Sequence, residues 1–148
     1  MAAVEETVTI RRIGRSHPDF ALVSDIRRAV FIEEQRVPEE EEWDAADGEA
    51  VHLLAVQGGR PVGTLRFYDD GGWLHVGRVA VLAACRGLGV GRLLMERCLA
   101  AGREMGCGRS FLNAQSDKAG FYSRLGYHMV GEEFMEAGIP HMRMERDL

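Results

Sequence analysis

The chain has 148 residues, 46% of them hydrophobic, and a formal net charge of −5. That is enough for one domain with a packed core and too little for two ordinary ones. The longest wholly apolar run, Val79 to Cys85, is far short of a bilayer span, which argues against a membrane helix, and no basic stripe with interleaved aromatics points to a nucleic acid.

Thr7–Arg12 alternates as a first strand. Pro18 follows Ser16 as a candidate cap and opens a helix whose apolar residues Leu22, Val23, Ile26, Ala29 and Val30 recur at helical spacing to about Gln35. The acidic segment 39–49 reads as loop or short helix. Val51–Gln57 and Pro61–Tyr68 form a hairpin about Gly58-Gly59, and a second turn at 69–72 leads to a long strand, Trp73–Leu82. Val90–Met105 is a helix with Leu93, Leu94, Cys98, Leu99 and Met105 on one side. Arg109–Ala114 is a strand, Lys118–Leu125 a short helix closed by Gly126, and Tyr127–Val130 and Met142–Arg146 are final strands. The order β-α-β-β-β-α-β-α-β-β predicts one α+β (mixed α/β) domain over residues 1–148, with helices on the faces of a sheet.

Charge is unevenly placed. Nine carboxylates lie between Glu33 and Glu49 against one base, Arg36, whereas residues 78–109 carry six arginines. The acidic run reads first as a solvated surface loop, and alternatively as a lure for a cationic substrate. The opening MAAVEETVT has no signal-peptide pattern, and Cys85, Cys98 and Cys107 are odd in number without CxxC spacing, so a reducing cytoplasm is expected. Lys118 is the only lysine; with abundant Ala and Gly, this suggests a GC-rich, bacterial genome. The five histidines show no HxxxH or HxH spacing, so no metal is expected.

The most informative stretch is Arg86-Gly87-Leu88-Gly89-Val90-Gly91-Arg92, between an apolar strand and a helix. Such a loop can bring several backbone N–H groups to an anion without side chains in the way. Neither a dinucleotide GxGxxG nor a P-loop fits, since the required third glycine falls on Arg92 or Leu94 and no lysine is near. What fits is R-x-x-G-x-G after Val79-Ala80-Val81. Joined to Phe121-Tyr122 and Leu125-Gly126-Tyr127, the pattern resembles the GNAT superfamily of acetyl-CoA-dependent N-acetyltransferases. Val30-Phe31-Ile32, Glu34-Gln35, Val37-Pro38 and Gly138-Ile139-Pro140-His141-Met142 resemble the small bacterial YjcF-like and ElaA-like group.

The resemblance implies a GNAT-like fold, a twisted mixed sheet of about six to seven strands. It implies acetyl-CoA as co-substrate, with Val79, Ala80 and Val81 along the pantetheine arm and Arg86, Gly87, Leu88, Gly89, Val90, Gly91 and Arg92 at the pyrophosphate. Asn113 and Phe121 would face the cofactor, and Tyr122 would stand beside the thioester sulfur. Two readings remain beside catalysis: a CoA-binding sensor or partner module, and a generic phosphate or nucleotide binder.

The chemistry sets requirements. A lysine-like amine is neutral in only about one molecule in 2,500 at pH 7, a cost of roughly 4.6 kcal/mol, so a proton acceptor is needed. Glu34, at the end of the first helix, is the first candidate and His141 the second. Proton transfer from an unshifted phenol to a thiolate is uphill by roughly 2 kcal/mol, so Tyr122 is expected to donate a hydrogen bond as charge develops on sulfur. The expected partner is a small-molecule amine, cationic if the acidic run steers it. Pairing of the C-terminal strand across a homodimer is a further expectation.

Overall fold

The computed structural model describes residues 7–148, so the leader-signal reading of the first six residues lies outside it. Seven strands form one mixed sheet in the order β1-β2-β3-β4-β5-β7-β6. The chain resolves into two compact units: residues up to Arg66 with Arg78–Arg97, and Phe67–Gly77 with Cys98–Leu148. Every sequence-predicted element is present in the predicted order.

In the first unit, β1 (Val8–Ile13) lies antiparallel to β2 (Val51–Gln57), in register from Val8↔Gln57 to Ile13↔His52. Leu53, Leu54 and Ala55 are consecutive and all buried, as in a strand covered on both faces. Gly58 and Gly59 both take positive φ and turn the chain into β3 (Arg60–Asp70). Helix α1 (Phe20–Arg27) buries Phe20, Val23 and Ile26. Its start departs from the prediction: Asp19, not Ser16 with Pro18, precedes it and does not cap it, because Arg11 takes the Asp19 carboxylate at 2.6 Å. The helix then widens into a π-helical segment, Arg28–Glu34, where Gln35 N–H reaches back five residues to Val30 O at 3.0 Å.

β4 (Trp73–Val81) precedes α4 (Val90–Glu104). Gly63 of β3 allows the first part of α4 to lie close, since a Cβ there would stand 3.1 Å from both Val90 Cγ1 and Leu94 Cδ1.

In the second unit, β5 (Arg109–Gln115) runs parallel to β4 over Trp73↔Arg109 to His75↔Phe111. The C-terminal strand β7 (Ile139–Asp147) pairs antiparallel with β5 on one side and with β6 (His128–Glu136) on the other. Both its edges are therefore occupied by its own chain, and it offers none to a second copy. Phe67, Leu74, Val76, Cys98, Leu99, Phe111, Leu112 and Met144 form this unit's core. The cysteines are free thiols, with Cys98 and Cys107 buried. Among the described residues, no helix is long and apolar enough to cross a membrane.

Candidate active site

A turn of 3₁₀-helix, Ala83–Cys85, follows β4 and delivers Arg86. Gly87 and Gly89 then adopt φ +78° and +88°, with open space where a Cβ would stand. A side chain at either would be strained by the backbone, not by crowding. Leu88 between them is exposed, and α4 begins at Val90. Leu93 N–H donates to Gly89 O at 3.0 Å, so the amides before it lie in the first turn, where an α-helix supplies no acceptor. The helix dipole adds positive potential at the same end. Gly91 and Arg92 continue this turn.

Arg86 is engaged at all three guanidinium nitrogens. Nη1 and Nη2 donate to the two oxygens of Glu34 at 2.6 and 2.7 Å, and Nε donates to Val81 O at 2.9 Å. Hydrogen bonding to Glu34 raises the arginine further above its ordinary pKa. The carboxylate considered first as a proton acceptor thus sits in a two-point clamp with the loop arginine, and one carbonyl of Val79–Val81 is already hydrogen-bonded. Ala80 is buried and Val79 and Val81 are half-buried. Immediately before them Arg78 adopts φ +53°, a left-handed backbone inside a strand.

Most carboxylates of the acidic run face solvent as expected, but the segment is not simply a loop. It forms two single-turn helices, α2 (Glu39–Glu42) and α3 (Ala46–Glu49), that bury Glu42 and Asp47. Arg27, itself fully buried, donates to Glu42 Oε2 and to Asp47 Oδ1, each at 2.7 Å. Arg66 donates to Asp47 at 2.7 Å and forks onto Asp44 at 2.6 and 2.9 Å. Arg78 reaches Glu42 O at 3.0 Å, Glu42 Oε2 at 3.3 Å and Asp44 Oδ2 at 3.3 Å. Burial acts to raise the Asp47 carboxyl, but the two guanidiniums outweigh it and bring the pKa down to about 2. Burial raises the Glu42 carboxyl, against the opposing pull of Arg27 and Arg78. His52 closes the cluster in a structural role, its Nε2 at 3.1 Å from Asp47 O and its pKa lowered by burial. Burial of two of the three arginines, though not their partners, could have been suspected from position. Arg27 follows Val23 by one helical turn on the apolar face, and Arg66 lies between buried Leu65 and Phe67.

In the second unit, helix α5 (Ala119–Ser123) carries Phe121 and Tyr122. Tyr122 is buried, edge-on to Phe121 and Tyr127 at 5.0 and 6.1 Å between ring centroids. Burial, with Tyr127 and Cys98 nearby, pushes its phenol well above the usual range. Tyr127, which sequence reasoning used only as a motif letter, shares a 2.7 Å hydrogen bond with Ser110. Asn113 is exposed on β5 opposite Arg143. His141 is buried on β7, stacked against Phe134, with Nδ1 at 2.7 Å from Ile139 O. A carbonyl only accepts, so Nδ1 carries the proton and Nε2 is the basic nitrogen of the neutral ring. Glu136 Oε2 lies 3.8 Å from Nε2. Among the described residues no cluster of three or more His, Cys, Asp or Glu is placed to hold a metal.

A glycine loop at a helix start, after a strand with a left-handed break, fits a cofactor-binding acyltransferase, and comparison decides the family. Residues 15–148 match the acetyltransferase (GNAT) domain model. The chain belongs to the GNAT acetyltransferase family. It is 38% identical to the N-acetyltransferase YjcF of Bacillus subtilis over 82% of this chain and 88% of that protein. An acyl-CoA N-acyltransferase from Pseudomonas aeruginosa superposes with a TM-score of 0.84 at 31% identity, covering 95% of this chain and 99% of the other. Escherichia coli ElaA superposes with a TM-score of 0.83 at 28% identity, over 95% and 99% of the two chains. Acyl transfer is the general chemistry of this GNAT chain, and YjcF and ElaA are bacterial proteins.

Proposed function

We propose that this GNAT protein transfers an acetyl group from acetyl-CoA to a primary amine of a small molecule, by direct attack within a ternary complex. The observation that carries the reading is the open glycine loop, with left-handed Gly87 and Gly89 leading into α4. It suits a pyrophosphate because Gly87 and Gly89 put no side chain before the loop amides, and the helix dipole favours negative charge there. The backbone of Val79–Val81 takes the pantetheine arm, with Asn113 and Phe121 as further cofactor-facing residues.

His141 is the proposed proton acceptor. Its tautomer is set by Ile139 O, whereas the Glu34 carboxylate is occupied by Arg86. Tyr122, whose phenol is held protonated by burial, donates a hydrogen bond to the departing thiolate. Glu42, Asp44 and Asp47 face arginines, so they neutralise the fold's own cations before any substrate's. The exposed carboxylates of the same segment, such as Glu40, Glu41 and Glu49, are the ones left to favour a cationic amine. The proposed setting is the cytoplasm.

The test is thiol release from acetyl-CoA against polyamines, aminoglycosides, amino sugars, amino acids and peptides, with CoA binding measured in parallel. Acceptor-dependent thiol release is expected. The depth at which Tyr122 is buried favours one second reading, a CoA-binding module without catalysis. CoA binding with no thiol release across the panel would establish that instead.

A further inference from the structure

One residue inside the sheet has a backbone its type disfavours. Arg78 has φ +53° in the interior of β4, where an L side chain crowds the following carbonyl. Such a conformation persists only where its surroundings over-determine it. Here the surroundings are the acidic segment. Nε and Nη2 of Arg78 donate to Glu42 O at 3.2 and 3.0 Å, Nη2 also reaches Glu41 O at 3.4 Å, and the guanidinium lies 3.3 Å from Glu42 Oε2 and from Asp44 Oδ2. Those acceptors are themselves fixed. Arg27 holds the Glu42 carboxylate and carbonyl at 2.7 and 2.8 Å, and Arg66 holds Asp44 in a fork. Arg78 is thus gripped at its tip by a partly buried, cross-linked cluster while its backbone is held left-handed.

The residues that follow are Val79, Ala80 and Val81, the stretch assigned above to the pantetheine arm. We propose that Arg78 is a positioning residue for the cofactor: the Glu42–Asp44 grip on its guanidinium holds the left-handed turn that aims the Val79–Val81 backbone groups at acetyl-CoA. This rests on the CoA reading above. It also gives the acidic segment a task other than steering substrate. Its carbonyl and carboxylates act on the cofactor strand through one arginine. Releasing the grip lets position 78 relax to ordinary extended backbone, and apparent cofactor affinity falls by the fraction of molecules that remain aimed.

The grip and the backbone can be separated by substitution. Arg78→Ala removes the guanidinium and keeps the Cβ that disfavours positive φ. Arg78→Gly removes the same guanidinium but takes positive φ without that penalty. CoA titrations of the full chain, by calorimetry on protein shown folded by circular dichroism, should give about tenfold weaker binding for Arg78→Ala. Arg78→Gly should recover to within about threefold of the wild type. KM for acetyl-CoA should follow the same order, while the two variants lose thermal stability together because both lose the same hydrogen bonds. If Arg78→Ala does not fold, Arg78→Lys replaces it: a single ammonium cannot make the forked grip, and weaker CoA binding than Arg78→Gly is expected. Arg78→Ala binding CoA as the wild type does, or Arg78→Gly binding no better than Ala or Lys, overturns the positioning role and leaves the CoA reading standing. A wild-type chain that does not bind CoA overturns both.

Discussion

Tyr122 shows how far a single residue's chemistry is set by its surroundings. Its letter in a Phe-Tyr pair suggested a group beside a thioester, and burial raises its phenol further above an already high ordinary pKa, disfavouring the phenolate. In the proposed reaction it would act as a hydrogen-bond donor and not as a phenolate. Removing the hydroxyl while keeping the ring leaves the packing against Phe121 and Tyr127 largely intact. Tyr122→Phe should lower kcat by about 10- to 100-fold, in the range lost with one donor to a developing charge. CoA affinity should stay within about twofold. Steady-state kinetics beside CoA titration checks this, and unchanged turnover would remove Tyr122 from the mechanism. The same dependence on surroundings governs Glu34 and His141. Both were legible as titratable residues in matched segments, but only the fold shows that one carboxylate is clamped by Arg86 and that one imidazole is oriented by a carbonyl.

Among the elements, the π-helical segment and the glycine loop are joined by the Arg86–Glu34 pair. A guanidinium fork suits a carboxylate and a phosphate alike, so in the proposed complex the cofactor's pyrophosphate competes with Glu34 for Arg86. The pair is about 40% exposed, with relative side-chain accessibilities of 37% and 42%, and is easily exchanged. Glu34→Gln should tighten CoA binding by about three- to tenfold, as one negative charge near the phosphates is lost, with kcat within about threefold. A loss of kcat near 100-fold would return Glu34 to the role of base. The elements themselves were largely readable, because periodicity reports on local geometry. The strand Val51–Gln57 matches its predicted limits, and Val90–Met105 ends one residue earlier, at Glu104. The widening at Arg28–Glu34 was not readable, since Ala29 and Val30 continue the α-helical spacing from Ile26 into it.

For the whole molecule, the cluster of Arg27, Arg66 and Arg78 with Glu42, Asp44 and Asp47, buried apart from Asp44 and part of Arg78, ties the acidic segment to α1, β3 and β4. Asp47 has a folded-state pKa of about 2, below its unfolded value near 3.8. A depressed carboxylate contributes stability that is present above the unfolded pKa and is lost as pH falls through the folded one. The contribution is about 2 kcal/mol, lost between roughly pH 5 and pH 2. Glu42, raised by burial, works in the opposite sense and blunts the loss. Urea denaturation from pH 6 down to pH 2.5 should show falling stability. Asp47→Asn should be less stable at pH 6, since it weakens two buried pairs, and should show a shallower acid slope. A variant with the wild-type slope would place the acid sensitivity elsewhere.

The sequence alone determined the order of strands and helices, the glycine loop and the family resemblance. Each depends on residue types at short spacing: apolar alternation, helical repeats, and glycines where the backbone takes positive φ. The tertiary structure decided the rest. It showed that two carboxylates of a largely exposed acidic run are buried counter-charges for three arginines 15 to 36 residues away from Glu42 or Asp47, such as Arg27 and Arg78. It placed the last strand between two others, where both its edges are used. And it revealed an arginine held left-handed before the proposed cofactor strand. Charge pairing, strand insertion and backbone strain arise between segments distant along the chain, and local pattern carries no record of them.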